Sequence, residues 1–336
     1  VRFEPRASGE INMFGVTFAG NRSVPRGSSS AFSAWNGKED AHFGIYVDSC
    51  RFENNYCGIS VTADTIRVAG SRFDNNTSYG ASLSQRAYNG ISKQIVVENC
   101  SFEASSTALA LNVDSGKVTL RNNTINKVNN AFSLYPQYNS NVGLLDISLV
   151  NNTISGYNSQ SCIYMPNYIP VTFIGNIFNT KILMMKDGNY KHDAIPMKSD
   201  YNVFICKPDT VYDSWMLGEH DLLVASEAFQ GVLDGESKDG FFMASSTLPS
   251  DTLMTKVIVL KNDYLADSAS IRLPLSETTV TTDQRGSERL PFTCVGAYEF
   301  DDKERDTIDI HTEDTICFGV SRQFAEWNIS TDTLQP

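Results

Sequence analysis

Long apolar runs are missing from this chain. No stretch approaches the roughly 18 consecutive apolar residues that span a bilayer, so membrane insertion is not expected. No basic segment leads into a short apolar core of the kind that directs export. The opening VRFEPRASG reads as ordered structure, as expected at the start of a mature or trimmed chain. Histidine is scarce: His42, His192, His220 and His311 are the four in 336 residues, and none stands in a recognisable catalytic or metal-binding spacing. Positive charge is also short, with 27 Lys and Arg against 39 Asp and Glu, a net charge of −12. So acidic a surface disfavours nucleic-acid backbones and anionic membranes as partners.

Cys-x-x-Cys is absent, and the seven cysteines (50, 57, 100, 162, 206, 294 and 317) are odd in number and irregular in spacing. That argues against a disulfide framework and against a zinc site. Most are expected to be buried thiols acting as small apolar groups. No metal and no cofactor is called for by any cluster in the sequence.

What the sequence does have is a repeated phrase. An aromatic residue or isoleucine closes each copy: Phe18, Phe52, Phe73, Phe102, Ile125, Ile154, Phe178 and Phe204, spaced by 34, 21, 29, 23, 29, 24 and 26 residues. Periods of 20–30 residues mark a solenoid. Five residues before these anchors stand Met13, Val47, Val68, Val97, Leu120, Leu149 and Phe173. Seven before stand Ile11, Ile45, Ile66, Ile95, Val118, Ile147 and Val171. Seven and nine after come Ile59 and Val61, Leu109 and Leu111, Phe132 and Leu134. The apolar period is two, which means strand. The single step of three, from five before the anchor to two before it, is a corner. Strand, corner, strand, loop and strand, with no helical period between, predict an all-β, single-stranded, right-handed parallel β-helix with coils ~4.8 Å apart.

Two residues before the anchor the last four coils carry Asn123, Asn152, Asn176 and Asn202. An inward-facing Asn needs partners, and stacked Asn side chains supply them as a structural ladder. A left-handed turn position is the other use of Asn at a corner. Cys50 and Cys100 share this column but are separated by the coil of Ser71, too far for a disulfide.

The rhythm stops after Phe204. The expected division is residues 1–204 as β-helix coils, 205–300 as final coils and a C-terminal cap, and 301–336 as a charged linker with the start of a truncated β-sandwich-like module. The segment TTDQRGSERLPFTCVGAYEF carries Asp283, Gly286 and Arg289 as D-x-x-G-x-x-R, then Gly296-Ala297-Tyr298-Glu299. This resembles the C-terminal part of secreted bacterial β-helix proteins of the pectin-lyase-like superfamily. The resemblance covers residues 14–300 as architecture, and its specific motif only the last 20 of them. It implies a pectin-lyase-like solenoid that is secreted or displayed on a bacterial cell surface. From the residues themselves, the segment is expected to close the open end of the solenoid, with Asp283, Arg285 and Arg289 as pairing groups of that cap.

Enzymatic chemistry has little to stand on. The strand-side acids Asp48, Glu98 and Asp146 are expected on different coils and at different offsets. GEHD, residues 218–221, is expected to be a solvated loop. The segment TKILMMKDGNYKHDAIPMK is basic, with Lys181, Lys186, Lys191, His192 and Lys198. Lys186 and Lys191 are candidates to hold an acidic sugar. Tyr135 and Tyr164 each stand ten residues after an anchor, and Tyr138 and Tyr168 follow in the echoing phrases YPQY and YMPNY. Such an outward tyrosine column suits the apolar faces and hydroxyls of sugars. The expected function is therefore a non-catalytic protein contacting glycan or another surface, with a polysaccharide as partner. The alternatives are a lyase or glycoside hydrolase acting on an acidic polysaccharide (the lyase with Ca²⁺), and a structural spacer of a larger surface protein.

Overall fold

The structure is a computed structural model. It describes residues 1–4, 7–22, 30–35, 42–85, 93–113, 115–136, 145–156, 162–166, 169–179, 181–185, 197–204, 217–223, 241–244, 257–260, 273–278, 280–293, 295–297, 299, 321–324 and 327–330. It has two compact units, Val1–Glu299 and Phe300–Pro336. In the second, Ser321–Phe324 pairs antiparallel with Trp327–Ser330.

The first unit is a parallel β-helix. Among the described residues it has three parallel sheets of eight, eight and nine strands. The first sheet extends from Arg2–Phe3 to Lys181–Met185, the second from Gly9–Phe14 to Lys198–Asp200, and the third from Thr17–Ala19 to Leu222–Leu223. Each coil contributes one strand to each sheet in turn. In the third sheet Phe18, Phe52, Phe73, Phe102, Ile125, Ile154, Phe178 and Phe204 stand opposite one another in unbroken register. A further coil follows, with Leu223 opposite Phe204. Nine strands at ~4.8 Å make that sheet about 38 Å long.

The core is what the period of two dictates. Ile45, Ile66, Ile95, Val118, Ile147 and Val171 face inward from the second sheet, each at most 2% exposed. In the third sheet the rings of Phe18, Phe52, Phe73 and Phe102 form one stack, with centroids 5.3, 4.9 and 4.6 Å apart and planes within 6° of parallel. The strands Cys57–Thr62 and Tyr79–Ser84 pass close to the stack and to the next coil. A Cβ on Gly58 would lie 2.4 Å from Gly80 O and 3.1 Å from Phe52 and Phe73, and one on Gly80 would lie 2.6 Å from Ala108 O and 2.8 Å from Phe102. Glycine there lets the backbones of successive coils and the rings approach one another.

The corner between the second and third sheets uses both roles open to Asn. Three residues before the anchor, Gly15, Ser49, Gly70, Asn99, Asn122, Asn151, Gly175 and Tyr201 all have φ between 51° and 65°. This is the left-handed turn. One residue later comes the ladder. Asn123 donates its backbone N–H and its Nδ2 to Asn152 Oδ1, both at 3.0 Å. Asn152 does the same to Asn176, and Asn176 to Asn202, at 2.9 Å. Each Nδ2 also reaches a strand carbonyl one coil back, Val97, Leu120, Leu149 and Phe173 in turn. The ladder extends at both ends. Cys100 N–H donates to Asn123 Oδ1 at 3.0 Å, and Asn202 N–H and Nδ2 donate to Asp221 Oδ1 at 2.8 and 2.9 Å. Within GEHD, Glu219 and His220 are exposed as expected of a solvated loop, but Asp221 is not. Asp221 is the last rung, because an ionised carboxylate only accepts and so can end a row of donors.

A second ladder had no place in the sequence reading. Asn21 N–H and Nδ2 donate to Asn55 Oδ1, and Asn55 N–H and Nδ2 to Asn76 Oδ1, at 2.9–3.1 Å. These residues lie three past their anchors, each behind a left-handed residue: Gly20, Asn54 or Asn75.

The segment expected as an end lid is placed differently. Its described part runs along the side of the solenoid. Gln284 Nε2 donates to Cys100 O, and Thr124 Oγ1 to Gln284 Oε1. Asn122 Nδ2 donates to Thr282 O, and Thr278 Oγ1 to Asn151 Oδ1. Ala297 N–H donates to Thr153 Oγ1, and Gly296 N–H to Gly175 O. Four consecutive coils are thus strapped together. The cause is the corner itself: left-handed Asn122 and Asn151, with Thr124 and Thr153 beside them, turn polar groups outward along one line. Within the strap Asp283 accepts from the N–H groups of Arg285, Ser287 and Glu299 and from Arg285 Nε. Arg289 is 5% exposed and joins Glu299 (3.2 Å), Asn122 Oδ1 (2.9 Å) and Gly296 O (2.8 Å). Gly296 has φ +85°, and a Cβ there would lie 2.6 Å from Ile177.

Three outcomes follow for stability. Asn152→Leu leaves Asn123 and Asn176 with unmatched polar atoms and should cost about 1–3 kcal/mol for each group stranded. Urea unfolding checks it, and a loss below about 0.5 kcal/mol would contradict a buried ladder. Arg289→Ala strands the buried Glu299 carboxylate and should cost about 3–5 kcal/mol by the same measurement.

The third outcome concerns the thiols. Cys50, Cys57 and Cys100 are buried and free. Burial pushes Cys57 up to about 11 and Cys100 up to about 12 from an ordinary 9.0, and raises Cys50. A thiol that keeps its proton when folded and loses it when unfolded contributes full stability below the unfolded value. That contribution is lost as pH rises above it toward the folded value. The unfolding midpoint should fall between about pH 9 and 11, less steeply in Cys100→Ala. A slope unchanged by that substitution would remove Cys100 from the effect.

Candidate functional site

The tyrosine column expected from sequence does not form. Tyr135 stands opposite Asn112, whereas Tyr164 stands opposite Ser133. Cys162, paired with Asn130, lies eight residues after Ile154, while Asn130 lies five after Ile125. One of these extra residues is recovered where the register shifts between Asn130 and Phe132. Equal distance from the anchor is therefore not equal height on the strand. Tyr135 is 47% exposed and Tyr164 is half-buried. Tyr138, Tyr168, Lys186 and Lys191 lie outside the described residues, as do His192 and the side chain of Lys181.

The register gives Tyr135 a different set of neighbours. One outward column of the first sheet reads Trp35, Thr62, Ser84, Asn112, Tyr135 on five consecutive strands. The residue before each of them is apolar and points inward: Ala34, Val61, Leu83, Leu111 and Leu134, all at most 1% exposed. Strand alternation therefore sends the column itself outward. Trp35 is 53% exposed, and Thr62, Ser84 and Asn112 are half-buried. Two aromatic rings thus bracket two hydroxyls and an amide across four strand steps, about 19 Å. Asn112 Nδ2 donates to Ser84 Oγ at 3.2 Å, which orients the amide along the column. The next outward column reads Ser33, Ser60, Ser82, Ala110, Ser133 and Tyr164. The first column holds no charged residue from Trp35 to Tyr135, whereas the second ends at Arg2, which stands opposite Ser33 and pairs with Glu4. Trp35 was open to sequence reading only through an alignment of the first-sheet strands. That alignment fails if strands are counted from the third-sheet anchors, since loop length between the sheets varies.

The second sheet is the opposite in character. Asp48 and Glu98 turn out to share one outward column, two coils apart, with Ala69 between them. Glu98 is 4% exposed and lies between Arg67 and Arg121, whose Nε atoms donate to its two oxygens at 2.8 and 2.6 Å. Arg67 also reaches Asp48 at 3.7 Å. An acid so enclosed by two guanidiniums is tied into the sheet by charge-assisted hydrogen bonds. Asp146 lies apart, opposite Lys117 at 4.0 Å. Among the described residues no three His, Cys, Asp or Glu side chains gather as a metal site would require, and no helix is long and apolar enough to cross a membrane.

Comparison with protein-family models, with curated proteins and with solved structures finds no match for this chain.

Proposed function

We propose that this is a secreted or cell-surface β-helix protein that contacts glycan without transforming it, through the outer face of its first sheet. The observation that carries this is the column Trp35–Thr62–Ser84–Asn112–Tyr135. Aromatic rings offer apolar faces to pyranose rings, while hydroxyls and an amide between them exchange hydrogen bonds with sugar hydroxyls. Parallel strands fix the spacing without a loop having to be ordered on binding, so little entropy is lost there. The absence of charge between Trp35 and Tyr135 favours a neutral chain over an acidic one on a protein of net charge −12. Export and a bacterial source rest on the resemblance of residues 283–299 to secreted β-helix proteins.

The test is a panel of soluble neutral and acidic polysaccharides, with binding read by affinity electrophoresis and unsaturated product read by absorbance. A neutral glycan should bind. Trp35→Ala and Tyr135→Ala should each weaken it roughly tenfold, about 1.4 kcal/mol per ring, with an unchanged unfolding midpoint because both rings are exposed. Unsaturated product would instead establish a lyase. Binding indifferent to both substitutions would move the contact elsewhere.

A further inference from the structure

Away from the first sheet, a cleft of about 410 Å³ opens at the last strands of the second sheet. Its apolar lining includes Ile174, Met197 and Leu217, and its polar groups include Lys198, Asp200 and Glu277. The volume falls within the range of small-molecule sites, as does the mixture of apolar lining and few polar groups. Three parts of the chain build it: the second-sheet strands Val171–Ile174 and Lys198–Asp200, the turn of the last coil at Leu217–Gly218, and Glu277 at the start of the strap.

Tyr201 is the unexpected member of its lining. It occupies the left-handed corner position with φ +57°. The other coils fill that position with Gly, Asn or Ser. A bulky side chain in that conformation is strained, and such strain persists where the surrounding structure holds it. Here the holding is visible. Asp200 Oδ1 accepts from the backbone N–H groups of Tyr201 (3.1 Å) and His220 (2.9 Å), and the His220 ring Nδ1 lies 3.1 Å from the same oxygen. The imidazole stacks on the Tyr201 ring, with centroids 4.3 Å apart and planes 8° from parallel. The ring is thus backed by His220, which is not part of the lining, and fixed beside the cleft. Burial, and then the carboxylates of Asp200, Glu277 and Glu219, push the Tyr201 phenol above its ordinary value. The phenol stays un-ionised in a field made negative by those acids.

We propose that this cleft binds a small ligand whose ring-sized body has an apolar C–H face and carries an ammonium group, as in an amino sugar. The body lies against Ile174, Leu217 and Tyr201. The ammonium sits with Asp200 and Glu277 beside the phenol ring, where carboxylates and an aromatic face both attract a cation. Lys198 also lines the cleft and opposes a cation there, so the two carboxylates together must outweigh it. The inference is independent of the first-sheet column, which shares no residue with the cleft.

Glucosamine and glucose, identical in ring but different in charge, are the probes, titrated into the protein by calorimetry. Glucosamine should bind saturably in the millimolar range, with glucose at least tenfold weaker. Glu277→Gln should weaken glucosamine severalfold. Tyr201→Asn should abolish binding while leaving the unfolding midpoint unchanged or higher, since Asn accepts the left-handed conformation. Trp35→Ala should leave glucosamine binding intact. Equal affinity for the two sugars, no saturable glucosamine binding, or full binding by Tyr201→Asn would each overturn the proposal.

Discussion

Everything in this solenoid depends on how its corners satisfy the backbone. A coil that turns from one sheet to the next leaves the ladder of strand hydrogen bonds for two or three residues, at a place buried from water. An unmatched amide there is costly, and the cost would recur on every coil. The fold meets it with a side chain that copies the peptide group. Each ladder Asn accepts at Oδ1 what the coil before it donates, and donates at Nδ2 to a strand carbonyl one coil back. The next coil's Asn does the same, so the solution propagates along the axis. It ends at Asp221, whose carboxylate takes the last donors.

The rest follows from fixing that corner. Because the ladder residue faces inward, the residue before it must take a left-handed turn, and the row of positive φ values is the result. Because those turns point outward, Asn122 and Asn151 can hold the strap across several coils. Because the coils are held in register, aromatic anchors fall on one another and stack. The rings and the carbonyls of the next coil together leave no room for a side chain at Gly58 and Gly80. The D-x-x-G-x-x-R and G-A-Y-E residues are understood in the same terms. Asp283 organises the strap's turn, Arg289 and Glu299 neutralise each other inside it, and Gly296 passes too close to Ile177 for any side chain.

Local information wrote the repeat, and so it was legible. Anchors and inward residues of the second and third sheets were recoverable from spacing because few residues separate those sheets and their number does not vary. The first sheet follows a connection of changing length, which is why Tyr135 and Tyr164 looked equivalent and are not. The second ladder was present in the text as Asn54-Asn55 and Asn75-Asn76, at a fixed offset from Phe52 and Phe73. It went unread because the first-coil member is the isolated Asn21 and the column stops at Ser105. The strap could not be found by periodicity at all. Its contacts join residues more than a hundred positions apart, and nothing in a sequence of polar and small residues says whether they cover an end or a side.

The two outer faces show how one framework carries different surfaces. On the second sheet Asp48, Arg67, Glu98 and Arg121 neutralise one another, so that face turns its charges on itself. On the first sheet the column from Trp35 to Tyr135 holds hydroxyls, an amide and aromatic rings and no charge. Such groups remain open to an external partner of matching polarity. Since inward residues carry the stability of every coil, outward ones can vary with little cost to the fold. The side chains that depart from the local pattern are thus the informative ones. Tyr201, in a turn its neighbours give to smaller residues, is such a case. So is Trp35, more than half exposed at the end of a strand whose other side is fully packed.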